Sequence, residues 1–186
     1  IVAVGTEDSL QPLVDARNGR IDRQFSQDIL LPGFIDPHVH PALPAVLTQF
    51  PFLAPDDWSL PTGEFPGETT PAGYRARLTE LAALHRDNAV PFITWGYHPL
   101  WHGEIWRDDL NEMFGEQPVM LWHRSFHELI GNDVAWDSLG VTEADAQMEE
   151  GANWARGHFY ENGLKAVVPK LGFVFAPQRF GGGMFN

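Results

Sequence analysis

Apolar and small residues run together over Ile1-Val-Ala-Val4 before Gly5, and the alternate positions Ile21, Arg23 and Phe25 suit a second short strand. Ile29-Leu-Leu31 and Phe34-Ile35 then form a nearly continuous apolar run broken only by Pro32-Gly33, as expected for a strand buried on both faces, such as a barrel strand. From Pro41 to Pro71 no period is sustained, which predicts a long loop or a small insertion. Thr70-Pro71 is a helix start, with Thr as N-cap and Pro at the first helical position. Tyr74, Leu78, Leu81 and His85 follow at helical spacing, so a helix is predicted to about Asp87.

Further along, Val90 to Trp95 reads as a strand, Gly96 to Gly103 as an aromatic loop and Asp108 to Phe114 as a short helix. Pro118 to Trp122 is a strand that delivers His123, Arg124 and His127. Asn132 can cap a helix ending at Gly140, and Thr142 with Asp145 three residues on is a start of the capping-box kind for a helix to Glu150. Tyr160 to Leu171 reads as mixed.

Composition changes this picture in three ways. With 44% apolar residues and seven tryptophans in 186 residues, the chain can bury a core. A formal net charge of −13 would repel phosphate backbones and anionic lipid heads, so nucleic acid is not an expected partner. There are no cysteines, so any metal must be held by His, Asp, Glu or a modified Lys. No apolar stretch is long enough for a membrane span, and a cytoplasmic location is expected. The Ile1 start and the closing run Gly181-Gly-Gly-Met-Phe-Asn186 look like cut ends, and a cut N-terminus could have lost a leader.

The residues richest in chemistry are Asp36, His38 and His40. At alternate positions of an extended strand they share one face, with Pro37 and Val39 on the other. Two imidazoles so placed can reach one divalent ion, and zinc binds neutral imidazole at about 2.0–2.1 Å. Such an ion lowers the pKa of bound water toward about 7. A bare His-x-His is equally what two partly exposed histidines near a turn would give.

The context carries more weight. The string Leu31-Pro-Gly-Phe-Ile-Asp-Pro-His-Val-His40 resembles the first barrel strand of the amidohydrolase superfamily. The resemblance extends to the branch typified by YtcJ-like proteins and N-substituted formamide deformylase. Ile93-Thr-Trp-Gly-Tyr97 through Trp101 is similar to that branch's Gly-Trp-Gly loop. Arg124-Ser-Phe-His127, Asn132 and Leu139-Gly-Val141 are similar to its segment with Arg, Asp-Gly-His and Asn. Two departures stand out: Phe126 alone replaces the Asp-Gly, and Tyr97-His98 stands where the branch often has Trp-Asp.

The resemblance implies an α/β fold, an incomplete metal-dependent (β/α)8 TIM barrel with part of a small N-terminal β-sandwich. Residues 1–31 would belong to the sandwich, and 32–186 to the first portion of the barrel, with an insertion at about 41–71. His38 and His40 would bind one or two divalent ions, zinc being expected, with Asp36 supporting them by hydrogen bonding. The substrate would be a small molecule hydrolysed at a non-peptide carbon–nitrogen bond. Arg124, His127 and Trp101 are substrate-binding candidates; His98, His102 and the tryptophans between Trp95 and Trp106 could line a pocket or serve ordinary aromatic packing. Glu161, Lys165 and Lys170 could bridge metals but read better as surface charge. The later ligands and the proton-accepting aspartate would lie beyond residue 186, so no catalytic residue is assigned and the chain alone should be inactive. Ester, lactone or deamination chemistry on the same fold, or a non-catalytic remnant, are the competing readings.

Overall fold

A computed structural model describes residues 2–29, 31–37, 46–85 and 89–173, in two compact units divided between Val39 and His40. The first unit contains one helix, α1 (Glu7–Ala16). Thr6 caps it by accepting a hydrogen bond from the Ser9 amide, with Glu7 and Asp8 in the first turn where the helix dipole favours negative charge.

The strands expected at residues 1–4 and 21–25 are not found among the described residues, and the apolar run into Asp36 is not a strand either. Phe34 is 98% exposed and Ile35 90% exposed. The physical reason is that a period of two only earmarks a segment for pairing. Backbone hydrogen bonds and face burial come from neighbouring strands, and this unit supplies none among its described residues. His38 and His40 lie outside the described residues.

The second unit is mixed α/β. Its elements are the hairpin β1 (Trp58–Leu60) and β2 (Gly63–Phe65), then α2 (Pro71–Leu84), β3 (Phe92–Tyr97), α3 (Pro99–His102) and α4 (Arg107–Phe114). There follow β4 (Val119–His123), β5 (Glu128–Gly131), α5 (Asp133–Leu139), α6 (Glu143–Gln147), β6 (Ala152–Asn153), β7 (His158–Tyr160) and three 3-10 segments between Trp154 and Phe173. The five-stranded sheet has the order β3-β4-β5-β7-β6.

Among the described strands of this sheet, β3 and β4 are the parallel pair. Helices α3 and α4 form the crossover between them, whereas the four residues from Arg124 to His127 can make only an antiparallel return to β5. The hairpin and the stretch before it give the expected loop or small insertion regular pairing of its own. Phe52 bridges Trp95 in parallel, and the Leu53 amide donates to the Trp95 carbonyl at 2.8 Å. An apolar tripeptide fenced by Pro51 and Pro55 gave no period long enough to read as a strand.

Every residue of β3 and β4 is buried, because apolar clusters cover both faces. One holds Tyr74, Leu78, Ala82, Phe92, Tyr97, Leu110, Val119 and Leu121, and the other holds Phe50, Phe52, Ile93, Trp95, Met120, Trp122 and Trp136. The register slips between Trp95 and Tyr97, so Gly96 is bulged at φ +117° and Tyr97 joins the cluster of Phe92.

The helix starts match the sequence signals, whereas α2 stops at Leu84 and α6 at Gln147, about three residues short of the expected ends. Thr70 accepts from Gly73 N, Asn132 from Ala135 N, and Thr142 with Asp145 forms a reciprocal box. Gly140 closes α5 in the left-handed conformation. No helix among the described residues is long and apolar enough to cross a membrane.

Candidate functional site

The C-terminal ends of the parallel pair bring a set of polar side chains together. Leaving β3, the chain passes through His98, whose Nδ1 caps α3 by accepting the Leu100 amide at 3.1 Å. Leaving β4, it passes through His123, whose Nδ1 accepts the Ser125 hydroxyl at 2.7 Å and the Ser125 amide at 3.1 Å. The two imidazoles stand with ring centroids 4.8 Å apart. Since a neutral imidazole carries its proton on the nitrogen that does not accept, both rings hold it on Nε2.

Behind His98, His102 is fully buried. Its Nδ1 accepts the His98 amide at 3.1 Å, so its Nε2–H donates to the Glu68 carbonyl at 2.8 Å. Glu128 stands 3.6 Å from His123 Nδ1 and takes the His158 Nε2 proton at 2.8 Å. Burial lowers the pKa of all three histidines of the rim. For His98 the Arg124 charge adds to that lowering, whereas for His123 Glu128 works against it and for His102 the hydrogen bond to Glu68 does. Tyr97 anchors the loop below them, with its hydroxyl donating to Gly103 O at 2.8 Å and accepting from Ile105 N at 3.0 Å. Burial pushes its phenol up to about 12.

Two of the substrate-binding candidates meet here. The Arg124 guanidinium lies over the Trp101 ring at 5.3 Å and donates to Asp56 at 2.8 Å. His127, by contrast, is on the surface, where its Nδ1 lies 3.1 Å from a Glu161 carboxylate oxygen. Asp36 belongs to the first unit. Lys170 donates to Gly140 O and to Asp145, which accounts for it as surface charge, and Glu161 is accounted for by His127.

His123, Ser125, Glu128 and His158 were not singled out as a group by sequence reasoning. The pairing of β5 with β7 brings Glu128 and His158 together across 30 positions, and no local pattern announces that. Phe126 occupies the left-handed region at φ +71°, a conformation that favours glycine. Its ring stacks on Trp95 at 5.2 Å, and its carbonyl accepts from Trp122 Nε1 at 3.1 Å. The glycine expected from the resemblance is thus replaced by a side chain held down by aromatic packing. Among the described residues no group of three or more His, Asp or Glu is arranged to hold a metal ion, so the rim alone does not fit a metal centre.

The fold is shared with part of two solved structures. One is the crystal structure of an uncharacterized metal-dependent hydrolase from Pyrococcus horikoshii OT3, with TM-score 0.51 and 16% identity over 96% of this chain and 32% of that one. The other is an uncharacterized metal-dependent hydrolase from Pyrococcus furiosus, with TM-score 0.50 and 16% identity over 94% of this chain and 32% of that one. The chain therefore spans about a third of their length. No protein-family profile matches the sequence, and no curated protein does.

Proposed function

We propose that the chain is part of a metal-dependent hydrolase in which His38 and His40 hold a divalent metal, with zinc the ion best suited to a cysteine-free imidazole site. The observation that carries this reading is the string Pro32-Gly-Phe-Ile-Asp-Pro-His-Val-His40 in a chain whose fold is shared with part of two metal-dependent hydrolases. Asp36 orients the ligands by hydrogen bonding. The bond cleaved is a non-peptide carbon–nitrogen bond of a small molecule, a choice that rests on the resemblance of the string to amidohydrolases.

Bound metal supplies an acidified water and a Lewis acid for a carbonyl oxygen. The donors that complete the set have to come from outside the described residues. The assembly is an incomplete (β/α)8 barrel, residues 32–186, preceded by part of a β-sandwich, residues 1–31. Among the described residues no strand is formed at 31–37, so the proposal requires strands on either side to form the first barrel strand.

Equilibrium dialysis of the 186-residue chain against zinc, followed by metal analysis, tests the ligands. Retention of zinc by the wild type and its loss from the His38→Ala, His40→Ala double variant is the expected result. Equal zinc in both, or none in either, overturns the assignment.

A further inference from the structure

We infer that His98, His123 and Arg124 form a subsite for a carboxylate group of a small molecule. The inference rests on the proposed hydrolase only in identifying that carboxylate as part of the substrate.

Both imidazoles are locked by their Nδ1 atoms. His98 Nδ1 is taken by the Leu100 amide and His123 Nδ1 by Ser125, so each ring is fixed in the tautomer that carries hydrogen on Nε2. Neither Nε2 has an acceptor among the described residues, His98 being partly exposed and His123 8% exposed. A purely structural pair of histidines, half-buried and in ring contact, would have both nitrogens satisfied or would turn the open edge away. Here two open donors sit on rings 4.8 Å apart.

Arg124 supplies the charge. Its Nη2 is engaged by Asp56 at 2.8 Å, which leaves Nε and Nη1 without a partner among the described residues. Trp101 packs under the guanidinium at 5.3 Å and meets His98 edge-on at 4.8 Å, so one indole orients both groups. The pair with Asp56 is partly exposed and therefore screened, so it positions the guanidinium without neutralising it fully.

The surrounding charges select the ligand. Glu128 stands on the Nδ1 side of His123, where it is engaged by His158 Nε2, and Asp56 stands beside Arg124. Two neutral N–H donors and one shared guanidinium suit a monoanion with two oxygens. A dianion such as phosphate would add charge against both carboxylates.

The test is NMR of the 186-residue chain with ring-15N histidine, in chelator-treated buffer, titrated with sodium acetate against sodium chloride at matched ionic strength. Acetate is expected to move the His98 and His123 Nε2 signals saturably and to leave His127 still. The Arg124→Gln variant, which changes a half-exposed side chain, should weaken saturation by about tenfold. A His38→Ala, His40→Ala variant should bind acetate as the wild type does, so loss of the metal reading would leave this result intact. Shifts equal to those with chloride, or unchanged saturation in Arg124→Gln, would overturn the subsite. Saturation by inorganic phosphate at lower concentration than acetate would overturn the carboxylate assignment.

Discussion

The imidazole of His102 lies flat on the ring of Tyr74, with centroids 4.0 Å apart and planes inclined by 18°. Both residues are fully buried, and the same imidazole joins the His98 amide to the Glu68 carbonyl. One side chain thus ties α2, α3 and the segment before α2 together at the base of the histidine rim.

Acid should loosen this region. Burial depresses the pKa of His102, His98 and His123, so the unfolded chain takes up protons more readily than the folded one. The stabilisation is complete above the ordinary histidine value of about 6.5 and is lost as pH falls through the depressed values. Urea midpoints should therefore drop between about pH 7.5 and about pH 5. His102→Leu should flatten that dependence and, by stranding the His98 amide and the Glu68 carbonyl, cost about 2–4 kcal/mol at neutral pH. A pH profile of the variant as steep as that of the wild type would contradict the assignment.

Asn132 ties strand to helix. Its Oδ1 accepts from Val119 N and Ala135 N, each at 3.0 Å, while its Nδ2 donates to Gln117 O at 2.7 Å. Asn132→Asp keeps the acceptors but sets a carboxylate oxygen against the Gln117 carbonyl. A loss of about 2 kcal/mol or more is expected in chemical denaturation, whereas an exposed cap usually tolerates this exchange.

At Gly96, φ is +117° and an added Cβ would come within 2.7 Å of Ala54 Cβ and 2.8 Å of Leu53 O. Gly96→Ala combines backbone strain with a clash against main chain, so about 3 kcal/mol of destabilisation is expected. Amide exchange should locate the damage at Leu53 N, whose bond to Trp95 O closes that edge. Unchanged protection there would contradict the close approach.

Asp145 is held at about 2, first by the hydrogen bond from Lys170 and then by Thr142. Its contribution to stability is present above the ordinary aspartate value and is lost as pH falls through about 2. Lys170→Ala should raise the carboxyl toward that ordinary value in a 13C titration, leaving Thr142 to hold it partly down. An unmoved titration would show that the lysine is not its partner.

Local chemistry made some of these elements legible in advance. Thr70-Pro71, Asn132 with Gly140, and Thr142 with Asp145 are helix boundaries written in short stretches of sequence, because a cap needs only its own first or last turn. The strands Phe92–Tyr97 and Val119–His123 were legible as Val90–Trp95 and Pro118–Trp122, short of their last residues. The segments at residues 2–4, 21–25 and 31–35 carried similar patterns and are not strands here, since a strand is completed by neighbours that the pattern does not contain.

By itself the sequence determined the helix caps, the presence of strands near Val90–Trp95 and Pro118–Trp122, the absence of thiolate ligands and the single string that points to metal chemistry. Tertiary structure alone decided that His98 meets His123, that Arg124 rests on Trp101 while His127 goes to the surface, and that Glu128 joins His158. The physical reason is range. Capping and burial are settled by the nearest residues and by hydrophobicity, whereas a polar constellation depends on strand register and crossover, which bring together side chains 25 to 30 positions apart through contacts that no local period encodes.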